Sequence, residues 1–195
     1  MAPTANIVEL ANAVAENTAK LHAYLSENGL PLPSHDPISQ PGPPPELPKE
    51  IADAQDAAIN ATWELHELLI GPYVLLLNSL FHSSRPLALS FIHEHKIAQA
   101  FASNETKTFA EIAALSNTDE EDTRRILRLA MTSHIFSEPE PGVVAHTASS
   151  QALALNPLLF AWAGLTTQDL LPGFLKVLLN VLFSKNITTD TLIDR

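Results

Sequence analysis

Apolar residues recur at helical spacing along most of the chain, and the first such stretch covers residues 4–28. Its apolar positions lie three, four or seven residues apart, as on one face of a helix, and they are Ile7, Leu10, Val14, Leu21 and Leu25. The pair Asn28-Gly29 is a typical helix stop. An isolated helix of this length buries nothing by itself, so its stripe needs either the rest of this chain or a second copy as its partner.

Residues 30–48 interrupt the helical pattern with eight of the fifteen prolines of the chain. A segment of this composition is typical of an extended, semi-rigid linker rather than of a folded element. A proline-rich ligand for an SH3-type domain is the alternative, but no basic residue flanks the prolines. If largely extended, the linker could carry the first helix onto a partner subunit.

Helical spacing resumes at residue 49 and predicts a helix over 49–70. Gly71-Pro72 is expected to break it, and a second apolar helix follows over 73–81. Arg85-Pro86 is expected to open a further helix over 86–101. No stretch up to this point alternates in the way a strand does.

Residues 108–146 carry the most informative pattern. Thr108 and Glu111 form a capping box at the start of a short helix, and a turn leads into a second helix over 119–133. Two apolar pairs, 135–136 and 143–144, then flank a turn rich in proline and glycine, which predicts a β-hairpin. Helix, turn, helix and hairpin are the order of a winged helix.

The remaining residues complete a fold that we expect to be mainly α, a winged-helix-like domain with an N-terminal helical arm and a small hairpin wing. Thr147 is expected to cap a helix over 148–155. An apolar helical region over 157–184 follows, which we expect to be interrupted at Gly164 and at Pro172-Gly173. His146 is placed on the wing strand.

Charge argues against a nucleic-acid partner. The formal net charge is −11, with 11 basic residues against 22 acidic ones, whereas affinity for nucleic acid comes mostly from Lys and Arg. Four acidic residues, 119–122, lead the helix that would enter the major groove. The chain has no cysteine, the N-terminus lacks the pattern of a secretory signal, and the apolar stretch 174–183 is too short to span a bilayer. We therefore expect a cytoplasmic protein without a membrane partner.

The sequence offers few candidates for chemistry. No two of the six glycines are close enough for a G-x-G turn, which dinucleotide-binding and S-adenosylmethionine-binding folds need. His93 and His95 lie on different sides of a helix, which disfavours a shared metal ion. His134 at the end of the second helix is a candidate contact for a small ligand, and Phe160 and Trp162 are expected in the core of an apolar helix. We predict no catalytic, cofactor-binding or metal-binding residue.

The run RRILRLAMTSHIFSEPEPGVVAHTASSQAL (124–153) and the TFAEIAALSNTDEEDTRR before it closely resemble the N-terminal domain of fungal class II, caffeate-type S-adenosylmethionine-dependent O-methyltransferases. Residues 7–34 and the proline-rich connector resemble the same proteins, and the wing is the specific part. The resemblance implies a dimerisation arm over 1–29, a linker over 30–48, a dimerisation domain over 49–184 and a tail over 185–195. It also implies that His134, Phe160 and Trp162 form part of a substrate wall.

Three functions follow as alternatives. The first is a truncated O-methyltransferase-like protein of secondary-metabolite biosynthesis, without the catalytic domain or a cofactor, that at most dimerises. The second is an accessory module that binds a small aromatic or polyketide metabolite or a full-length O-methyltransferase paralogue. The third is a small cofactor-independent cyclase or pericyclase. A homodimer, or a heterodimer with the paralogue, is the expected assembly.

Overall fold

The computed structural model describes residues 6–37, 45–81 and 84–184. Its contacts divide the chain into two compact units. The first unit comprises residues 1–34 and 42–82, and the second comprises residues 35–41 and 83–195. Residues 49–81, which the resemblance placed in one domain with the winged helix, thus belong to the same unit as the N-terminal helix.

Helix α1 of the first unit spans Ile7–Glu27. Asn6 caps it, because its side chain accepts from the Val8 amide at 2.8 Å while its own amide donates to Glu9 at 3.1 Å. This reciprocal pair satisfies donors that a helix start leaves open. The helix ends at Asn28, as predicted, whereas residues 4 and 5 lie outside the described residues.

Helix α2 spans Lys49–Phe81 and is broken at Gly71, whose φ of 71° and ψ of 169° are not helical. A positive φ suits glycine because it has no Cβ, so the predicted break is confirmed. Helices α1 and α2 pack against each other through buried residues on each: Leu10, Leu25, Ala54 and Ala61. Val14 and Leu21 of the predicted stripe are half-buried, and Ile7 is exposed. The partner of the stripe in this structure is therefore α2 of the same chain.

The second unit has the element order of a winged helix. Its helices and strands are α3 (Ser84–Glu94), a 3₁₀ turn (Ile97–Gln99), β1 (Thr106–Thr108), α4 (Phe109–Ser116), α5 (Glu120–Met131), β2 (Ser137–Glu140), β3 (Val143–Ala145), α6 (Ala148–Leu155), α7 (Pro157–Gly164), a π-helical turn (Leu165–Leu170) and α8 (Leu171–Ser184). The three strands form an antiparallel sheet in the order β1-β3-β2.

The core of the second unit lies between α3, α4, α5 and the sheet. Its fully buried side chains include Ile92, Ile97, Phe109, Ile112, Leu127, Phe136 and Val144. The predicted capping box of α4 is present, with the Thr108 amide donating to Glu111 at 2.7 Å. Thr147 caps α6, as predicted. The expected fold class, mainly α with a hairpin wing, is confirmed.

Several predicted boundaries are wrong. Helix α3 ends at Glu94 rather than at 101, because Lys96 adopts a left-handed conformation with φ of 52°. Residues 135–136 are core residues before the wing, and the strand follows them at Ser137–Glu140. Strand β2 lies at the sheet edge, where a proline such as Pro139 removes no needed donor. Strand β1 was not anticipated.

The last helical region differs from the prediction as well. Gly164 does not interrupt it, since the backbone continues through the π-helical turn into α8. Pro172 and Gly173 do not interrupt it either, because α8 continues past both to Ser184. Within the described ranges, no helix is both long and apolar enough to cross a membrane.

Candidate functional site

A bidentate ion pair fastens the wing to α5. The Nε and Nη2 atoms of Arg128 donate to the two carboxylate oxygens of Glu138 at 2.9 and 2.7 Å, and the Gly142 amide donates to the same carboxylate at 2.7 Å. The Arg128 hydrogen bond and then the Gly142 hydrogen bond lower the pKa of Glu138 to about 2. The wing is therefore held to the helix at neutral pH by a charged clasp.

The other arginines of α5 are also paired with acids. Arg124 pairs with Glu120, and Arg125 lies 3.8 Å from Asp122. The guanidinium groups of Arg124 and Arg128 also lie over the Phe109 ring, 5.7 and 5.3 Å from its centroid. This helix thus offers little uncompensated positive charge, and the absence of a nucleic-acid partner stays a prediction.

His146 is a structural residue of the core. It follows β3, which ends at Ala145, so its predicted place on the wing strand is wrong. Its Nε2 lies 3.3 Å from the Phe101 carbonyl oxygen and its Nδ1 lies 3.0 Å from the Ser150 hydroxyl. Because a carbonyl only accepts, Nε2 carries the hydrogen in this arrangement. Burial lowers the pKa of His146, which keeps the ring neutral between Phe101 and Phe136.

The rings of His35 and His134 stack with centroids 3.8 Å apart and an interplanar angle of 11°. The backbone holds both residues, since the His35 carbonyl accepts from the Ala148 amide at 2.8 Å and the His134 carbonyl accepts from the Thr147 hydroxyl at 2.8 Å. A cavity of about 550 Å³ lies beside them. His35 of the linker is therefore fixed to the winged helix.

A larger cleft, of about 650 Å³, is also lined by His134. Helix α3, the loop after α5, helices α6 and α7 and the π-helical turn enclose it. Its apolar side chains include Leu89, Ile135, Leu153, Leu159, Trp162 and Ala163, and its polar ones include Arg85, Thr132, Ser133, His134, Ser149, Thr166 and Thr167. Clefts of this size and mixture are typical of small-molecule sites.

The structure brings together two of the three predicted wall residues. His134 and Trp162 line the cleft, whereas Phe160 does not and stacks on His93 instead, with centroids 4.2 Å apart. Trp162 was expected in the core, and this expectation is wrong because 56% of its surface is exposed. Helix α7 is apolar on all sides, so its sequence gives no indication of which residues face the cleft.

Arg85 is the arginine of the cleft, and the sequence did not indicate it as a site residue. Its Nε donates to the Ser133 hydroxyl at 2.9 Å, across 48 positions of the chain. In the sequence its only signal is the position before Pro86 at a helix start. As for metals, His95 packs against Phe91 while His93 packs against Phe160, and no metal-binding group of three side chains occurs in the part of the chain that the structure describes.

Comparisons with known proteins point to one family. A scan against protein-family models finds no match. The chain is 38% identical over 176 residues to the O-methyltransferase AMT9 of Alternaria alternata, covering 89% of this chain and 41% of that protein. It is 34% identical over 164 residues to a chlorophenol O-methyltransferase of Trichoderma longibrachiatum, covering 84% of this chain and 35% of that protein.

A solved structure agrees at the level of the fold. OxaC, solved in complex with sinefungin and meleagrin, matches 90% of this chain and 40% of its own length with a TM-score of 0.61 and 17% identity. The chain thus spans about two fifths or less of the proteins it matches.

The expectation that no cofactor belongs to this protein is wrong. The relatives are O-methyltransferases, and the fold neighbour OxaC was solved with sinefungin, a chemical analogue of S-adenosylmethionine. The expectation rested on the glycines of a chain that covers only part of those proteins. In residues 6–37, 45–81 and 84–184 the only sheet is antiparallel and offers no parallel strand-to-helix turn for the cofactor, so we assign it to no residue here.

The identity to fungal O-methyltransferases extends over both units. It reaches 84–89% of the chain in the relatives described above, which is more than either unit contains by itself. Over the region that it spans, the chain belongs to the family of fungal O-methyltransferases.

Proposed function

We propose that this chain is the association and substrate-wall module of an O-methyltransferase of fungal secondary metabolism. The acceptor in this proposal is a small phenolic or other aromatic metabolite, as the name of the chlorophenol relative suggests. In this proposal, methyl transfer requires catalytic residues that lie outside the region matched here, in the remaining part of O-methyltransferases such as the relatives. The chain pairs with a second copy or with a longer paralogue.

The observation that carries the proposal is the exposed apolar surface of α2. Trp63, Tyr73 and Leu76 are exposed to 67, 75 and 69%. Apolar side chains exposed in this number on one element are more than singly scattered ones, and larger apolar surfaces of this kind mark interaction sites. Helix α1 covers Ala54 and Ala61, and Trp63, two residues after Ala61, lies about 160° around the helix from it. The face that carries Trp63 is therefore free to bind another chain.

A charge placed on the exposed surface of α2 tests association through it. Charges at Leu10 or Val14 would disturb the packing of α1 on α2, because these residues contact their own chain. Trp63→Asp instead places a charge on the exposed surface. We expect the unsubstituted chain to sediment as a dimer at tens of micromolar and this variant to dissociate at least tenfold more readily, by about 1.4 kcal/mol.

Ala57→Asp is the matched control, since it adds the same charge at an exposed position of α2 away from Trp63. It should leave sedimentation unchanged. Monomeric behaviour of the unsubstituted chain, or equal weakening by the two substitutions, would refute association through this surface. Transfer of a labelled methyl group from S-adenosylmethionine to 2,4-dichlorophenol by the 195-residue chain alone would refute the assignment as a module.

A further inference from the structure

Arg85 differs from the other arginines that the structure describes. Arg124, Arg125 and Arg128 each pair with a carboxylate. Arg85 has no carboxylate within ion-pair distance among the described residues, and the hydrogen bond that it makes with them is the 2.9 Å bond from Nε to the Ser133 hydroxyl. Among the arginines of the described residues, Arg85 is therefore the one whose charge no acid balances.

The bond to Ser133 also orients the guanidinium group. With Nε engaged, the outer edge of the group, which carries the two terminal nitrogens, is available. That edge has the spacing of a carboxylate and can bind one through two parallel hydrogen bonds. A phenolic hydroxyl offers a single oxygen and would use half of this edge.

The cleft beside Arg85 supplies the second half of a binding site. Trp162 and Leu159 present large exposed apolar surfaces to it, and Leu89 and Leu153 lie deeper. A flat apolar surface next to a cation suits a ligand with an aromatic ring and one anionic substituent. The volume of about 650 Å³ accommodates one such molecule.

We propose that this cleft binds an aromatic carboxylate, with the carboxylate on the outer edge of Arg85 and the ring against Trp162. The inference rests on the proposed function only in taking the ligand to be the methyl acceptor or its product. It adds the chemical class of that ligand and the residue that selects it.

The test is a titration of the full 195-residue chain with salicylate, followed by two-dimensional ¹H–¹⁵N NMR of the indole groups. The chain has two tryptophans, and Trp63 belongs to the first unit, where its Nε1 donates to Glu67 at 2.7 Å. We expect a saturable shift of the Trp162 indole signal and no shift of the Trp63 signal. Trp63→Phe assigns the two signals.

Salicylamide, the neutral counterpart, should bind about tenfold more weakly than salicylate, since a charge-assisted pair is lost. Arg85→Gln should weaken salicylate binding by about tenfold and leave salicylamide binding unchanged. Arg125→Gln is the matched control, because it removes the same charge from an exposed arginine outside the cleft, and it should bind salicylate normally. Arg85 is exposed, so its substitution should leave the unfolding temperature unchanged.

The proposal would be overturned by equal affinity for salicylate and salicylamide, by equal weakening through Arg85→Gln and Arg125→Gln, or by the absence of a saturable shift at millimolar salicylate. Tighter binding of 2,4-dichlorophenolate than of salicylate would replace the carboxylate class by the phenolate class and also overturn it. The NMR titration depends neither on methyl transfer nor on association of two chains. Failure here therefore leaves the sedimentation result of Trp63→Asp to decide the proposed function separately.

Discussion

At the scale of single residues, Glu138 shows how one carboxylate can hold a wing in place. It accepts from both Arg128 nitrogens and from the Gly142 amide, and its pKa falls from 4.5 to about 2. A group whose pKa is lower in the folded state stabilises the fold above its unfolded pKa. That stabilisation is complete above pH 4.5 and is lost as the pH falls towards 2.

Glu138→Gln keeps an oxygen for the Gly142 amide but removes the charge. We expect it to lower the free energy of unfolding at pH 7 by about 0.5–1 kcal/mol, because the pair is partly exposed to solvent. The deficit should shrink between pH 4.5 and pH 2, where the unsubstituted protein loses the same charge. Thermal unfolding across this range measures it, with Glu140→Gln on the same wing as the control. A deficit that is constant from pH 7 to pH 2.5 would contradict the role of the clasp.

At the scale of elements, the sequence predicted helix starts well, because these depend on nearby residues. It did not predict the elements that depend on contacts between distant residues. The boxes at Thr108 and Thr147 depend on residues three positions apart, which a sequence displays directly. Strand β1 is three residues long and exists because Thr106 pairs with Ala145. The cleft also depends on a long-range contact, the hydrogen bond from Arg85 to Ser133. The sequence therefore indicated His134 and Trp162 as site residues but did not indicate Arg85.

The contact between α3 and α7 yields a prediction about Gly164. This residue is helical, so alanine should favour the helix by up to about 1 kcal/mol, yet a Cβ here would lie 2.5 Å from ring atoms of His93. That ring is stacked on Phe160 and has little room to move. We expect Gly164→Ala to destabilise the fold by about 1–3 kcal/mol in urea unfolding.

Two comparisons isolate the cause of that loss. Gly173→Ala should not destabilise the fold, because its Cβ would meet nothing within 4 Å. In a His93→Ala background, Gly164→Ala should cost little, since the clashing ring is gone. An equal loss in both backgrounds would place the cause elsewhere than in this contact.

At the scale of the whole molecule, charge leads us to expect no affinity for DNA despite the winged helix. The net charge is −11, and the arginines of α5 are paired with acids. A mobility-shift assay at low micromolar protein and low salt should leave duplex DNA unshifted. A salt-sensitive shift that Arg124→Ala with Arg125→Ala abolishes would show the opposite.

The exposed apolar helices expose a newly made chain to two competing processes, which are pairing with a second copy and capture by chaperones or proteases. Until it is covered, each copy presents Tyr73 and Leu76 on α2 and Phe174 on α8 to every other protein in the cell. The pairing of two copies that we propose would accelerate with the square of their concentration, whereas capture by chaperones and proteases would rise only in proportion to it. Abundance should therefore respond steeply to the rate of synthesis, with slow production favouring degradation and fast production favouring survival.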